Sequence, residues 1–159
     1  MRTLVVALSL AGSMVTAGCN RSPEEFESLS PSALVVRSDF SDDTEWERLK
    51  EVVLTPIEPG YVANVRFVEV PNSAEKSATE ITSSLSPPYQ LSFIFVADRR
   101  TFDSPETTLL IASLSEGPGA EFRVLPSKVA EVEANLSVAN VSFEEFAEAA
   151  DEKGIYRGL

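Results

Sequence analysis

Runs of apolar residues alternate with polar, Pro- or Gly-bearing links along most of this chain, and their spacing predicts the elements in order. Residues 33–40, ALVVRSDF, open with four consecutive apolar positions, the pattern of a central strand buried on both faces. Ser41, Asp42 and Asp43 supply helix N-cap residues. Trp46, Leu49 and Val53 then recur at helical spacing, so a helix over about 42–54 faces the core and ends before Pro56, Pro59 and Gly60. Residues 61–70 read as a second strand. Residues 73–85 carry Ala74, Ala78, Ile81 and Leu85 on one helical stripe and stop at Pro87 and Pro88. Residues 91–98, LSFIFVAD, form the most apolar strand.

Short links follow, a turn over 99–106 and a Gly-Pro-Gly turn at 117–119, so 107–114 and 121–125 are predicted to form antiparallel hairpins. Pro126 and Ser127, with Ser127 as N-cap, open a helix that turns Val129, Val132 and Leu136 inward. Ser142 and Glu145 form a capping box, with Val141 and Phe146 as its hydrophobic staple, and Gly154 stops the last helix. The order β-α-β-α-β-β-β-α-α implies a single layered α/β domain. Right-handed crossovers place strand two on one side of strand one and strand three on the other. The expected sheet is mixed and five-stranded, in the order 2-1-3-4-5, with strand four antiparallel and helices packed on it.

The first 32 residues do not follow this pattern. Arg2, an apolar run over 4–11 and small residues up to Gly18 read as a signal peptide over 1–18, far short of the roughly 18–20 apolar residues that span a bilayer. Residues 16–19, Thr-Ala-Gly-Cys, resemble the lipobox of bacterial lipoproteins, with Thr16 where leucine is more common. The resemblance implies diacylation of the Cys19 thiol and cleavage before it, hence a membrane or envelope location outside the cytoplasm. Residues 20–32, rich in Ser, Pro and Glu, read as a disordered tether after the lipidated Cys19. The domain proper is 33–159, a length that forms one core without a disulfide or metal.

Composition mainly excludes. The 159 residues hold 13 Lys and Arg against 25 Asp and Glu, for a net charge of −12. A nucleic-acid partner is excluded, because phosphate binding needs clustered bases. The chain has no histidine, and Cys19 is its one cysteine. That removes Ser-His-Asp and Cys-His nucleophilic machinery, zinc sites built on His or Cys, and thiol redox chemistry in the domain.

Carboxylates and arginines remain. In an open α/β sheet, ligands favour the carboxyl ends of strands where the strand order reverses. Asp39 and Asp98 fall there, with Asp42 and Asp43 on the adjoining loop. Asp39, Asp43 and Asp98 are therefore candidate oxygen ligands for Mg²⁺ or Ca²⁺, against the plainer roles of helix caps and turn acceptors. Arg37, Arg123 and Arg157 are candidates either for an anion site or for ion pairs with local acids, such as Arg123 with Glu133. Asn135 and Asn140 flank a link between two helices and suit a loop-organising role.

Several segments together are similar to a bacterial family of unknown function: 36–43 (VRSDFSDD) with Trp46, 95–98, 122–127 (FRVLPS), 132–140 (VEANLSVAN), 143–147 and 154–158 (GIYRG). The similarity runs from about Leu34 to Leu159, with Ala134 standing where asparagine is more usual. The family has no assigned activity, so the resemblance implies a single domain and no particular chemistry. The function expected is that of a lipid-anchored envelope protein with a non-catalytic binding or interaction domain. A Mg- or Ca-dependent enzyme or cation sensor, using the acidic cluster, is the alternative. A structural or regulatory subunit with an envelope protein partner is a second.

Overall fold

The computed structural model describes residues 31–58, 60–85, 89–115 and 120–158. The expected signal peptide, Cys19, the expected tether up to residue 30, Pro59, Pro87, Pro88 and the expected turn at 117–119 lie outside them. The domain is α/β, built on one mixed sheet of six strands in the order β2-β1-β3-β4-β5-β6. Strand β1 (Ala33–Arg37) is buried along its whole length and pairs in parallel with β2 (Val65–Glu69) and β3 (Phe93–Ala97). Strand β4 (Leu109–Ser113) is antiparallel to both β3 and β5 (Glu121–Val124), and β6 (Ile155–Tyr156) pairs in parallel with β5. Every strand except β4 therefore ends at the same edge of the sheet.

Alternation along the strands divides the core in two. One face carries Val35, Phe93, Phe95, Ile111, Phe122 and Val124. It is covered by α1 (Asp43–Val53) through Trp46, Leu49 and Val53, by α4 (Val129–Ser137) through Val129 and Val132, and by α5 (Phe143–Glu148) through Phe143 and Phe146. Aromatic rings lock this layer edge to face, Phe122 to Phe143 and Phe146 to Tyr156, each pair 5.0 Å between centroids. The other face carries Leu34, Val36, Ile94 and Val96, covered by Ile81 of the short helix α2 (Ala78–Ser83). Caps fix where the helices begin. Asp42 accepts the Glu45 backbone N–H, and Ser77 with Glu80 and Ser142 with Glu145 form reciprocal capping boxes.

The sheet has six strands rather than the five expected. The sixth, β6, is two residues long, too short for any periodicity. Gly154 does not stop α5, which ends at its C-cap Ala149; it sits at φ +72° in the turn that launches β6. The segment 99–106, expected as a plain turn, contains helix α3 (Arg99–Asp103), held by a reciprocal box between Asp98 and Thr101. Helix α2 is half its expected length. Its first turns are replaced by a looped segment in which Asn72 takes φ +60° and Ser73 Oγ donates to the Val70 carbonyl. Ser127 caps nothing. It lies inside a 3-10 turn (Pro126–Lys128) entered from Leu125 without a side-chain cap, because Pro126 already supplies the fixed φ of a first helical residue.

Candidate functional site

The carboxyl edge gathers the ends of β1, β2, β3, β5 and β6, and two buried arginines organise it. Arg37 closes β1 on the face shared with Val35, under the first turn of α1. Its side chain is 4% exposed. Nε donates to the Asp39 carbonyl at 3.0 Å and Nη2 to Asp43 Oδ1 at 2.6 Å, while Nη1 lies 3.8 Å from Glu69 Oε1. The guanidinium carbon lies 4.5 Å from the Phe40 ring centre and 5.6 Å from that of Trp46. Trp46 Nε1 donates to the same Glu69 oxygen at 3.1 Å, which ties α1 to the end of β2. Asp39 accepts the backbone N–H and hydroxyl of Ser41. The hydroxyl bond, helped by the backbone bond and the nearby charges of Arg99 and Arg37, outweighs partial burial and holds its carboxyl below the usual range.

Arg123 alternates with Phe122 and Val124 and so faces the opposite side of the sheet. Its side chain is 7% exposed. Nη1 and Nη2 donate to the two Asp98 oxygens at 3.0 and 2.6 Å, and Nε donates to Thr108 Oγ1 at 2.9 Å. Asp98 also accepts from Thr101 as the cap of α3. Burial pushes the Asp98 carboxyl up, but the bonds and charge of Arg123, with those of Thr101, more than offset it, so the net direction is down. The expected pairing of Arg123 with Glu133 is therefore corrected: strand alternation sends Arg123 to the face away from α4. Glu133 is fully buried on α4 and accepts from Tyr61 Oη and from the Asn64 backbone N–H through Oε2. Its Oε1 has no partner among the described residues. Burial, then the bond to Glu133, pushes the Tyr61 hydroxyl up to about 12.

The three candidate metal ligands are thus held separately, Asp39 by Ser41, Asp43 by Arg37 and Asp98 by Arg123. Among the described residues no three carboxylates come together as a metal-binding group. Arg157, just after β6, clamps Glu106 at 2.6 and 2.8 Å and reaches Asp151 at 2.7 Å, all at the surface. These hydrogen bonds raise Arg157 and lower both acids. Asn135 Nδ2 donates to the Glu131 carbonyl at 2.8 Å. Asn140 bonds back to Asn135 through side chain (2.7 Å) and backbone (2.9 Å), around Ala139 at φ +53°.

Sequence reasoning missed a groove beside these locks. It runs between α1 and the corner where β5 enters α4, with a volume of about 220 Å³. Leu49, Val52, Pro105, Leu125 and Pro126 give it apolar walls; Glu45, Arg48, Thr107 and Ser127 give it a polar rim. Glu45 takes Arg48 Nε and Nη2 at 2.7 and 2.6 Å and the Thr107 hydroxyl, so the rim is fixed by its own bonds. The salt-bridged Arg48, then the Thr107 bond, lower the Glu45 carboxyl despite some burial. The one advance signal was Val52, apolar but off the Trp46–Leu49–Val53 stripe. A smaller pocket of about 130 Å³ lies on the other face, between the 73–81 segment and Val96, Asp98 and Glu121.

This geometry defines an α/β domain with a mostly parallel sheet and a carboxyl edge stapled by arginine–carboxylate pairs. Residues 32–159 match the family model of DUF6924, a domain of unknown function, and the chain belongs to that family. No curated protein and no solved structure matches the chain.

Proposed function

We propose that this chain is a lipid-anchored envelope protein whose domain binds a ligand or partner, without catalysis, in the groove between α1 and the 125–127 corner. The observation that carries the binding reading is the groove itself. It lies at the carboxyl edge, where α/β sheets hold their ligands, and its apolar walls meet a pre-set polar rim. The non-catalytic reading is supported by the one acid that lines it. Glu45 sits on the Arg48 guanidinium, which with the Thr107 bond holds its carboxyl low and suits it poorly as a proton donor near neutral pH. The anchor reading is supported by the Thr-Ala-Gly-Cys run at 16–19.

Two measurements test it. Metabolic labelling with an alkyne fatty acid should mark the protein and be lost in Cys19→Ser. A fragment screen by thermal shift should find binders, and a ligand at 100 times its dissociation constant adds about 2.7 kcal/mol. Ser127→Trp, which fills the groove, should abolish that gain while leaving the far-ultraviolet spectrum unchanged. Stabilisation by Mg²⁺ or Ca²⁺ that vanishes in Asp98→Ala would replace this reading with the cation-dependent one.

A further inference from the structure

The amino edge of the sheet is the opposite of the carboxyl edge in character. Five large hydrophobic residues are exposed among the described residues, and four of them lie there: Leu54 (44%), Tyr61 (37%), Val62 (40%) and Val138 (72%). The topology puts them together. Helices α1 and α4 both start at the carboxyl edge and run back across the same face, so Leu54 and Val138 follow their far ends. Residues 61–64 lead into the start of β2. The bond from Tyr61 to Glu133 and the bridge between Ile57 and Tyr61 tie these segments to one another.

Charge is sparse in the same segments. In a chain with 25 acids, residues 52–64, 89–92 and 134–143 hold one charged side chain, the exposed Glu58 in the turn between Ile57 and Tyr61. The chain also enters the domain here. Ser32 N donates to the Asn64 carbonyl at 3.0 Å, and Asn64 Nδ2 donates to Ser32 Oγ at 2.9 Å. The attachment point is thus pinned two residues from Val62.

We propose that this patch is a lipid-docking face, with Leu54, Val62 and Val138 resting against the membrane that holds Cys19 and the carboxyl-edge groove turned away from it. This rests on the lipid-anchor reading given above. The twelve residues from Cys19 to Pro31 reach at most about 40 Å, and a domain of this size has a radius of gyration of only about 14 Å, so the tether alone does not dictate orientation. The surface does. Apolar side chains gain by leaving water, and charges resist being brought against lipid, so the apolar side, with Glu58 as its one acid, turns inward and the strongly acidic side outward. Tyr61 adds ring surface to the patch while its hydroxyl stays bonded to the buried Glu133. Once the lipid chains hold the domain close, docking is an intramolecular event, and a small patch suffices.

The test uses the full lipidated protein in phosphatidylcholine–phosphatidylglycerol vesicles. Acylation blocks the one natural thiol, so a single introduced cysteine takes an environment-sensitive dye at Val62→Cys or Val138→Cys, with Asp103→Cys at the carboxyl edge as control. Brominated lipids should quench the dye at 62 and 138 at least twofold more than at 103. Val62→Asp with Val138→Asp should remove quenching of a dye at Leu54→Cys while the protein still floats with the vesicles. Flotation with equal quenching at all sites overturns docking and leaves the anchor standing. A blue-shifted but unquenched dye at 138 also overturns it, by showing protein rather than lipid on the patch. A protein that does not float, with an unmodified Cys19 by mass spectrometry, overturns both.

Discussion

Removing Arg123 tests whether the carboxyl edge is a structural lock. In Arg123→Met the stem is kept and the guanidinium is lost, together with two bonds to Asp98, two to Thr108 and a long one to Thr101. Breaking a buried ion pair by removing one member costs about 3–5 kcal/mol. Asp98 is 27% exposed at its side chain and keeps its bonds from Thr101, so water recovers part of the loss. The expected cost is therefore about 2–3 kcal/mol, below the fully buried limit. Asp98→Ala should cost more. It strands a guanidinium only 7% exposed and removes the cap of α3, worth about 1 kcal/mol by itself. In combination the two changes should fall short of their sum by about 1–3 kcal/mol, because each removes the same pair.

Urea unfolding followed by circular dichroism reads this directly. The midpoint should fall with the slope unchanged. The pH dependence adds an independent arm. A carboxyl lowered in the folded state stabilises above its unfolded value near 4 and loses that contribution as pH falls through the folded value. The wild type should therefore lose stability on the acid side below about pH 4, and Arg123→Met should lose less over the same window. A cost under about 0.5 kcal/mol for Arg123→Met, or strict additivity with Asp98→Ala, would refute the lock and return Arg123 to the pool of anion-binding candidates.

Ser142→Ala should cost about 1 kcal/mol in chemical denaturation, since it opens the capping box with Glu145 at the start of α5. Gly154 and Gly158 both take positive φ, at +72° and +103°. Gly154→Asn should be nearly neutral, because asparagine tolerates the left-handed region and no atom lies within 4 Å of an added Cβ. Gly158→Asn should lose about 1–2 kcal/mol, because its φ lies beyond that region, whereas the Lys128 ammonium a Cβ would meet ends a flexible side chain and can swing aside; equal costs at the two sites would contradict this. In a spectrophotometric titration at 295 nm, Tyr61 should ionise near pH 12, later than an ordinary tyrosine at about 10. Its hydroxyl value is raised on folding, so its contribution is complete below pH 10 and lost as pH rises through about 12; Tyr61→Phe should remove that alkaline loss.

The elements written in local pattern were legible in the sequence. Four apolar residues in β1 marked a central strand. Asp42 with Trp46, Leu49 and Val53 marked α1, and the Ser142–Glu145 box marked α5. Short links then forced β4 to run against its neighbours, and the strand order followed from crossover handedness. What escaped notice depends on distant partners. Helix α3 is five residues with one apolar side chain, and its box needs Asp98 to be held by Arg123 across β4. Strand β6 exists only because β5 offers it a free edge. The Arg123–Asp98 pair joins residues 25 apart that share a sheet face, and local spacing had instead suggested Glu133, ten residues away.

The arginines also explain why the groove lies where it does. In an open α/β sheet the crevice for a ligand forms between the two central strands at the point where the order reverses, here between β1 and β3. In this chain that crevice is closed on one face and narrowed on the other. Arg37 fills the side of α1 with its guanidinium spread over Phe40 and Trp46, and Arg123, clamping Asp98 at the end of β3, leaves on the other side the pocket of about 130 Å³ beside Ser38 and Val96. Neither can be moved cheaply, since each would leave a buried charge without its partner. The larger of the two spaces is displaced sideways, to where Pro126 bends the chain out of β5 and α1 passes over it. The same side chains that place Asp43 and Asp98 at the switch point thus hold each of them in an ion pair, while the apolar wall from Leu49 to Leu125 lies clear of these pairs.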